Sequence, residues 1–221
     1  MKITKAFNPS EQQSGFMLKS LLILLFFAVS VFTGNVLAAE AETHSEKVPQ
    51  TQEETIIDVK GRGGEFSLIG KDGWVSLSDF RGKVTAIYFG YTKCPDVCPT
   101  NLSFLSSAIS HLSPEEKKMF QSIFISVDPG RDSPDVLAEY VKYFDDEMIG
   151  LSAAPDDLDP VVAQYGAFYE KVPYSNSALM YGVDHTSETY IAGKDGKLFA
   201  ILPHATKSEK ILATIREAMQ E

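Results

Sequence analysis

Cys94 and Cys98 are the only two cysteines in this chain, and they bracket Pro95, Asp96 and Val97 just beyond the apolar run Val84 to Gly90. Two thiols with no other cysteine to pair with have three options: a disulfide with each other, a soft metal, or alternation between the two. With Cys94 in a loop and Cys98 in the first turn of a following helix, both sulfurs can face one point about 2.3 Å from a bound metal. A third ligand would complete a soft, low-coordinate site. Closing so short a loop by a disulfide stabilises little through chain entropy, which argues against a purely structural pair.

Each of the four histidines has an ordinary structural reading. His44 lies in a polar, acidic stretch and is expected to be solvated. His111 falls near the end of the cysteine helix, where a cation favours the helix dipole. His204 follows Pro203 at a strand end, an exposed loop position. His185 differs, because Gly182 to Ser187 immediately precedes the strand that thioredoxin-like folds place opposite the cysteine loop. Its position makes it the candidate third ligand. Asp184, next to it, is a candidate for fixing the imidazole or a loop residue bonding backbone. Asp128 and Asp132 flank Arg131 at the end of the second central strand, on the side where the cysteine loop emerges. Asp128 is accordingly a candidate for orienting that loop, against the plainer reading of a turn in which it accepts backbone N–H groups. Met180 is expected as an exposed residue of a loop from Pro173 to Tyr181.

The elements that must position these residues are readable from hydrophobic patterning. Val84 to Gly90 and Ile123 to Val127 have the length and composition of buried central strands. Between them, Leu102, Leu105, Ile109 and Leu112 recur at helical spacing, predicting a helix over Thr100 to Leu112. Ser133 and Pro134 form an N-cap and first-turn pair. A weak strand near Ile149 to Ser152 is followed by a helix over Pro160 to Phe168. Thr189 to Ala192 and Leu198 to Leu202 flank the Asp195–Gly196 turn as an antiparallel hairpin, and Ser208 is expected to cap a last helix. Phe66 to Leu77, folded around Gly70 to Gly73, adds a hairpin ahead of the core. The order predicts an α/β fold, a central mixed sheet with helices on both faces and an additional N-terminal hairpin. A cysteine pair where the first central strand meets its helix is the thioredoxin-like arrangement, in which the helix N-terminus lowers thiol pKa values.

The 221 residues carry a formal charge of −10. Clustered Lys and Arg are absent, so nucleic acid is not an expected partner. Leu21 to Phe32 is almost wholly apolar, Lys19 precedes it, and Val36 to Ala38 offers small residues for cleavage. Residues 1–39 therefore read as a signal peptide or signal anchor, with translation starting at Met1 or Met17. Removing residues 1–38, where Lys2, Lys5 and Lys19 stand against Glu11, would leave a charge of −12. Residues 40–55 are acidic and polar, as in a flexible tether, and residues 56–221 form the domain. Export to a periplasm is expected, with residues 20–37 able to anchor the chain in the inner membrane.

Three runs then carry a resemblance: Phe89 to Pro99 around the cysteines, Ser126 to Pro134 around Arg131, and Asp184 to Thr186 around the histidine. Together they resemble the Sco/SenC family over the whole domain, with Ser133 standing where threonine is common. The resemblance implies a thioredoxin-like fold that binds copper through Cys94, Cys98 and His185 and helps assemble the copper A centre of cytochrome c oxidase. The implied partner is the copper-acceptor subunit, with other periplasmic copper chaperones or thiol reductases beside it. Chemistry agrees with this, since two thiolates and an imidazole suit Cu(I), whereas zinc would prefer a fourth ligand. Cu(II) is the other form the site is expected to meet. The alternative is a thiol:disulfide reductase in which Cys94 and Cys98 form a redox disulfide and Cys94 attacks first.

Overall fold

A computed structural model describes residues 59–174 and 180–221. The leader, anchor and acidic tether expected before residue 56 lie outside the described residues.

The core is a five-stranded sheet in the order β5-β4-β3-β8-β9. Its middle strand, β3 (Val84–Gly90), and its neighbour β4 (Phe120–Ser126) are buried at every position, and β4 starts before the apolar run at Ile123 with Gln121 and Ser122 buried as well. β5 (Ile149–Leu151) continues the parallel side, and β8 (Thr189–Ala192) and β9 (Leu198–Leu202) run antiparallel on the other. Because side chains alternate along β3, Tyr88 and Phe89 enter opposite layers. Tyr88 stacks on Phe124, which meets Tyr140 of α3 (Pro134–Val141), under the layer of α1 (Val97–Ser110). Phe89 packs edge-on against Tyr190 and against Tyr165 of α4 (Pro155–Tyr165) on the other face. The mixed sheet covered on both faces, with the hairpin of β1 (Ser67–Gly70) and β2 (Gly73–Ser76) ahead of it, is the thioredoxin-like arrangement expected from the sequence.

Several boundaries differ from expectation for identifiable reasons. α1 begins three residues earlier than its apolar spacing indicates. Pro99 is harmless in the first turn, where its missing N–H would have no helical partner. α4 begins at Pro155, not Pro160, and ends at Tyr165, ahead of Gly166, whose φ of 66° supplies a left-handed cap. Pro160 sits inside the helix. α5 (Ser208–Gln220) has Lys207, not Ser208, at its N-cap position, and no side chain caps it.

Three parts of the structure have no counterpart in the sequence reading, the first being a short 3-10 turn at Leu77–Phe80. α2 (Pro114–Lys118) is a single turn closed by a Ser113–Glu116 capping box. More consequential is the hairpin of β6 (Tyr169–Pro173) and β7 (Tyr181–His185), a two-stranded sheet of its own. His185 is the last residue of β7, not part of a loop. Tyr169 pairs with it across the ladder.

Candidate metal centre

Cys94 ends the turn that leaves β3, and Cys98 is the second residue of α1. A helix start leaves N–H groups without partners. Asp96 occupies the N-cap position without a side-chain cap bond, and the Cys98 N–H instead donates to Cys94 Sγ at 3.4 Å. The sulfur takes the place of the usual capping oxygen. From the other side of the site, His185 reaches Cys98 Sγ with its Nε2 at 3.2 Å. Its Nδ1 donates to the Thr186 carbonyl at 2.7 Å, which turns Nε2 toward the cysteines, and in a neutral imidazole Nε2 then carries the lone pair. The ligand atoms of Cys94, Cys98 and His185 all lie within 4.8 Å of one another, and they form the sole cluster of this kind among the described residues.

The two thiols are electrostatically unequal. Hydrogen bonding from Cys98, opposed by desolvation and supplemented by His185 and by the Asp96 and Cys98 backbone, pushes the Cys94 thiol down to about 4. Burial and the neighbouring Cys94 charge push Cys98 strongly up. The inequality favours the thiolate on Cys94 and the thiol on Cys98 in the free pair. Both cysteines are unbridged and buried.

The walls of the site are aromatic. Tyr88 and Tyr91 each meet the His185 ring edge-on, at centroid distances of 6.3 and 5.7 Å. Gly90 leaves room for Cys98: a Cβ there would lie 2.8 Å from its Sγ.

Residues 55–220 match the SCO1/SenC family. The chain belongs to that family. An SCO2-like protein of Rickettsia prowazekii is 39% identical over 136 residues, covering 61% of this chain and 66% of the relative, just under two thirds of its length. Among solved structures, the apo Sco1 protein of Thermus thermophilus is 36% identical with a TM-score of 0.66, over 74% of this chain and 95% of that one. ScoI of Bradyrhizobium japonicum, solved with copper bound, is 34% identical with a TM-score of 0.64, over 71% of this chain and 99% of that one.

The other residues singled out in this SCO1/SenC sequence divide by location. His111 caps the end of α1 and bonds the Ser107 carbonyl, and His204 is exposed; His44 lies outside the described residues. Met180 is exposed, with a left-handed φ of 60°. Asp184 is exposed on β7, and the group that fixes the His185 tautomer is the Thr186 carbonyl. Asp128 and Asp132 are both fully buried. Asp132 accepts from the Thr92 N–H at 2.9 Å, from the Thr92 hydroxyl at 2.6 Å and from Ser126 at 2.8 Å, holding the turn two residues ahead of Cys94. Asp128 pairs with Arg131 and accepts from the Tyr181 hydroxyl at 2.8 Å. The sequence reading missed Asn101, which is buried one helical turn beyond Cys98. Its amide donates to the Tyr88 hydroxyl and to the Ser187 carbonyl, and its oxygen accepts from the Ala205 N–H. A polar residue on the inner face of an otherwise apolar helix was the available signal.

Proposed function

We propose that this chain is an exported copper metallochaperone that takes copper through Cys94, Cys98 and His185 and supports assembly of the copper A centre of cytochrome c oxidase. Copper is its cargo, and the copper-acceptor subunit of the oxidase is the proposed recipient. The observation that carries the reading is the convergence of two sulfurs and one imidazole nitrogen within 4.8 Å. Donors bound to a common soft metal at roughly 2.0 to 2.3 Å lie no more than about 4.6 Å apart, so little movement is needed to close the site. Soft sulfur ligands select Cu(I), and three-coordination leaves a side open for an acceptor's ligands to enter by exchange. The solved Bradyrhizobium japonicum relative holds copper, which supports the same assignment. Residues 1–39 are proposed as the signal or inner-membrane anchor, residues 40–55 as the tether and the periplasm as the compartment.

An anaerobic Cu(I) titration of the reduced protein against a competing chelator tests this. Near one tight copper per chain is expected, lost in Cys94→Ser and Cys98→Ser and weakened in His185→Ala. Weak binding indifferent to His185 would defeat the three-ligand site.

The unequal thiols favour a second reading, a thiol:disulfide reductase. The Cys94 thiolate would attack a partner disulfide, breaking its S–S bond to form a mixed disulfide and releasing the other partner sulfur as a thiolate. Cys98 would then lose its proton and displace the partner thiolate, which takes up a proton, leaving the Cys94–Cys98 disulfide. Two electrons pass to the partner, and an exported thiol reductase would reset the pair. This activity survives His185→Ala, whereas tight copper binding does not.

A further inference from the structure

The strand that carries His185 is not hydrogen-bonded into the five-stranded sheet. Its position against Cys98 comes from side-chain contacts instead, with Val183 buried in the core at its middle and polar contacts at its two ends. Downstream, the Ser187 carbonyl is held by the buried Asn101 of α1. Upstream, β7 meets the turn that follows β4. There the Tyr181 hydroxyl donates to Asp128 at 2.8 Å, and Arg131 Nη1 donates to the Tyr181 carbonyl at 3.0 Å. The guanidinium lies 3.8 Å from the Tyr181 ring centroid while pairing with Asp128. Lys171 of β6 brings its ammonium within 3.7 Å of the same carboxylate. Asp128 is thus a fully buried charge engaged by both strands of the hairpin. The same turn grips the cysteine loop through Asp132 and Thr92.

We propose that Asp128, acting through Tyr181 and Arg131, is a positioning residue that latches the β6–β7 hairpin to the body and thereby presents His185 to the cysteines. The proposal rests on the copper-site reading above. Asp128 touches no ligand atom of the site. Its effect runs through the fraction of molecules in which the hairpin is docked, and apparent affinity for a metal that needs His185 scales with that fraction. A hydrogen bond to a charged group biases such an equilibrium by roughly tenfold or more. The arrangement divides labour within one turn: Asp132 sets the thiols and Asp128 sets the imidazole.

The test uses the reduced protein with Tyr181→Phe, which removes the hydroxyl but keeps the ring beneath Arg131, and with Asp128→Asn as the harsher change. Two quantities are read: amide exchange in the metal-free protein, and Cu(I) affinity by chelator competition with and without His185→Ala. In Tyr181→Phe, exchange of β6–β7 amides should quicken by roughly tenfold, with β3 and β4 unchanged. Cu(I) affinity should fall when His185 is present, by no more than the factor by which exchange quickens, with no further loss in the His185→Ala background. Unaltered hairpin exchange, or equal weakening in both backgrounds, would overturn the latch, the second because a merely structural role is indifferent to the imidazole. Should Asp128→Asn fail to fold, Tyr181→Phe carries the test alone. If His185→Ala keeps wild-type affinity, the ligand assignment falls instead, and hairpin exchange alone decides whether the latch exists.

Discussion

At the scale of single residues, the difference between Cys94 and Cys98 would govern how copper enters the proposed site. Cys94 is held down to about 4 by hydrogen bonds, and Cys98 is driven upward by burial beside that charge. Metal binding requires both sulfurs as thiolates, so copper must expel a proton from Cys98 but finds Cys94 already ionised. The sign follows directly. Cu(I) affinity should rise with pH by about tenfold per unit between pH 7 and 9, where one proton leaves per copper. Two ordinary thiols titrating near 8.5 would release almost two protons at pH 7. Chelator-competed Cu(I) affinities measured across this range give the slope. A value near two at pH 7 would contradict the inequality of the thiols.

At the scale of elements, the joint between β3 and α1 is built with little spare room. A Cβ on Gly90 would approach Cys98 Sγ to 2.8 Å and the Phe124 ring to 2.9 Å. Neither neighbour has an easy retreat, since both residues are fully buried. Gly90→Ala should therefore destabilise the domain by about 1–3 kcal/mol, the usual range for overpacking. It should also weaken copper binding by shifting Cys98 away from His185. Urea unfolding together with the copper titration measures both effects, and a variant with unchanged stability and affinity would show that the joint yields more readily than its contacts imply. Gly90 thus serves the site by leaving space rather than by offering a ligand.

At the scale of the whole molecule, the site ties distant elements together, so copper bound there would be coupled to folding. Cys94 and Cys98 belong to the β3–α1 joint, whereas His185 arrives on a separate two-stranded sheet. A ligand bound only by the folded chain at about 1,000 times its Kd adds about 4 kcal/mol of stability. For a domain of this size, 1 kcal/mol moves Tm by about 2–4 °C, so buffered Cu(I) should raise the Tm of the reduced protein by on the order of 10 °C. Copper held by thiols of the unfolded chain makes that an upper figure. Calorimetric scans should show no comparable rise for Cys98→Ser or for protein with the pair oxidised. An equal rise in those forms would place the copper elsewhere.

Much of this was legible along the chain, because the signals are local. Leu102, Leu105 and Ile109 mark α1 within a few residues of one another, and the run of β3 advertises its burial on both faces. The cysteine pair at that joint followed from order alone. The hairpin that delivers His185 left no such trace. Tyr169–Pro173 is largely exposed, so burial imposes no alternating pattern on it, and its strand conformation comes from pairing with β7. Asp132 and Thr92 meet across 40 residues, Asp128 and Tyr181 across 53, and Cys98 and His185 across 87. Sequence determined which residue types could make a soft-metal or dithiol site and which strand and helix would carry the thiols, since those depend on periodicities of two and 3.6 residues. Only the tertiary structure decided that the imidazole stands 3.2 Å from Cys98, because that distance depends on how separately formed elements pack, and no local periodicity encodes it.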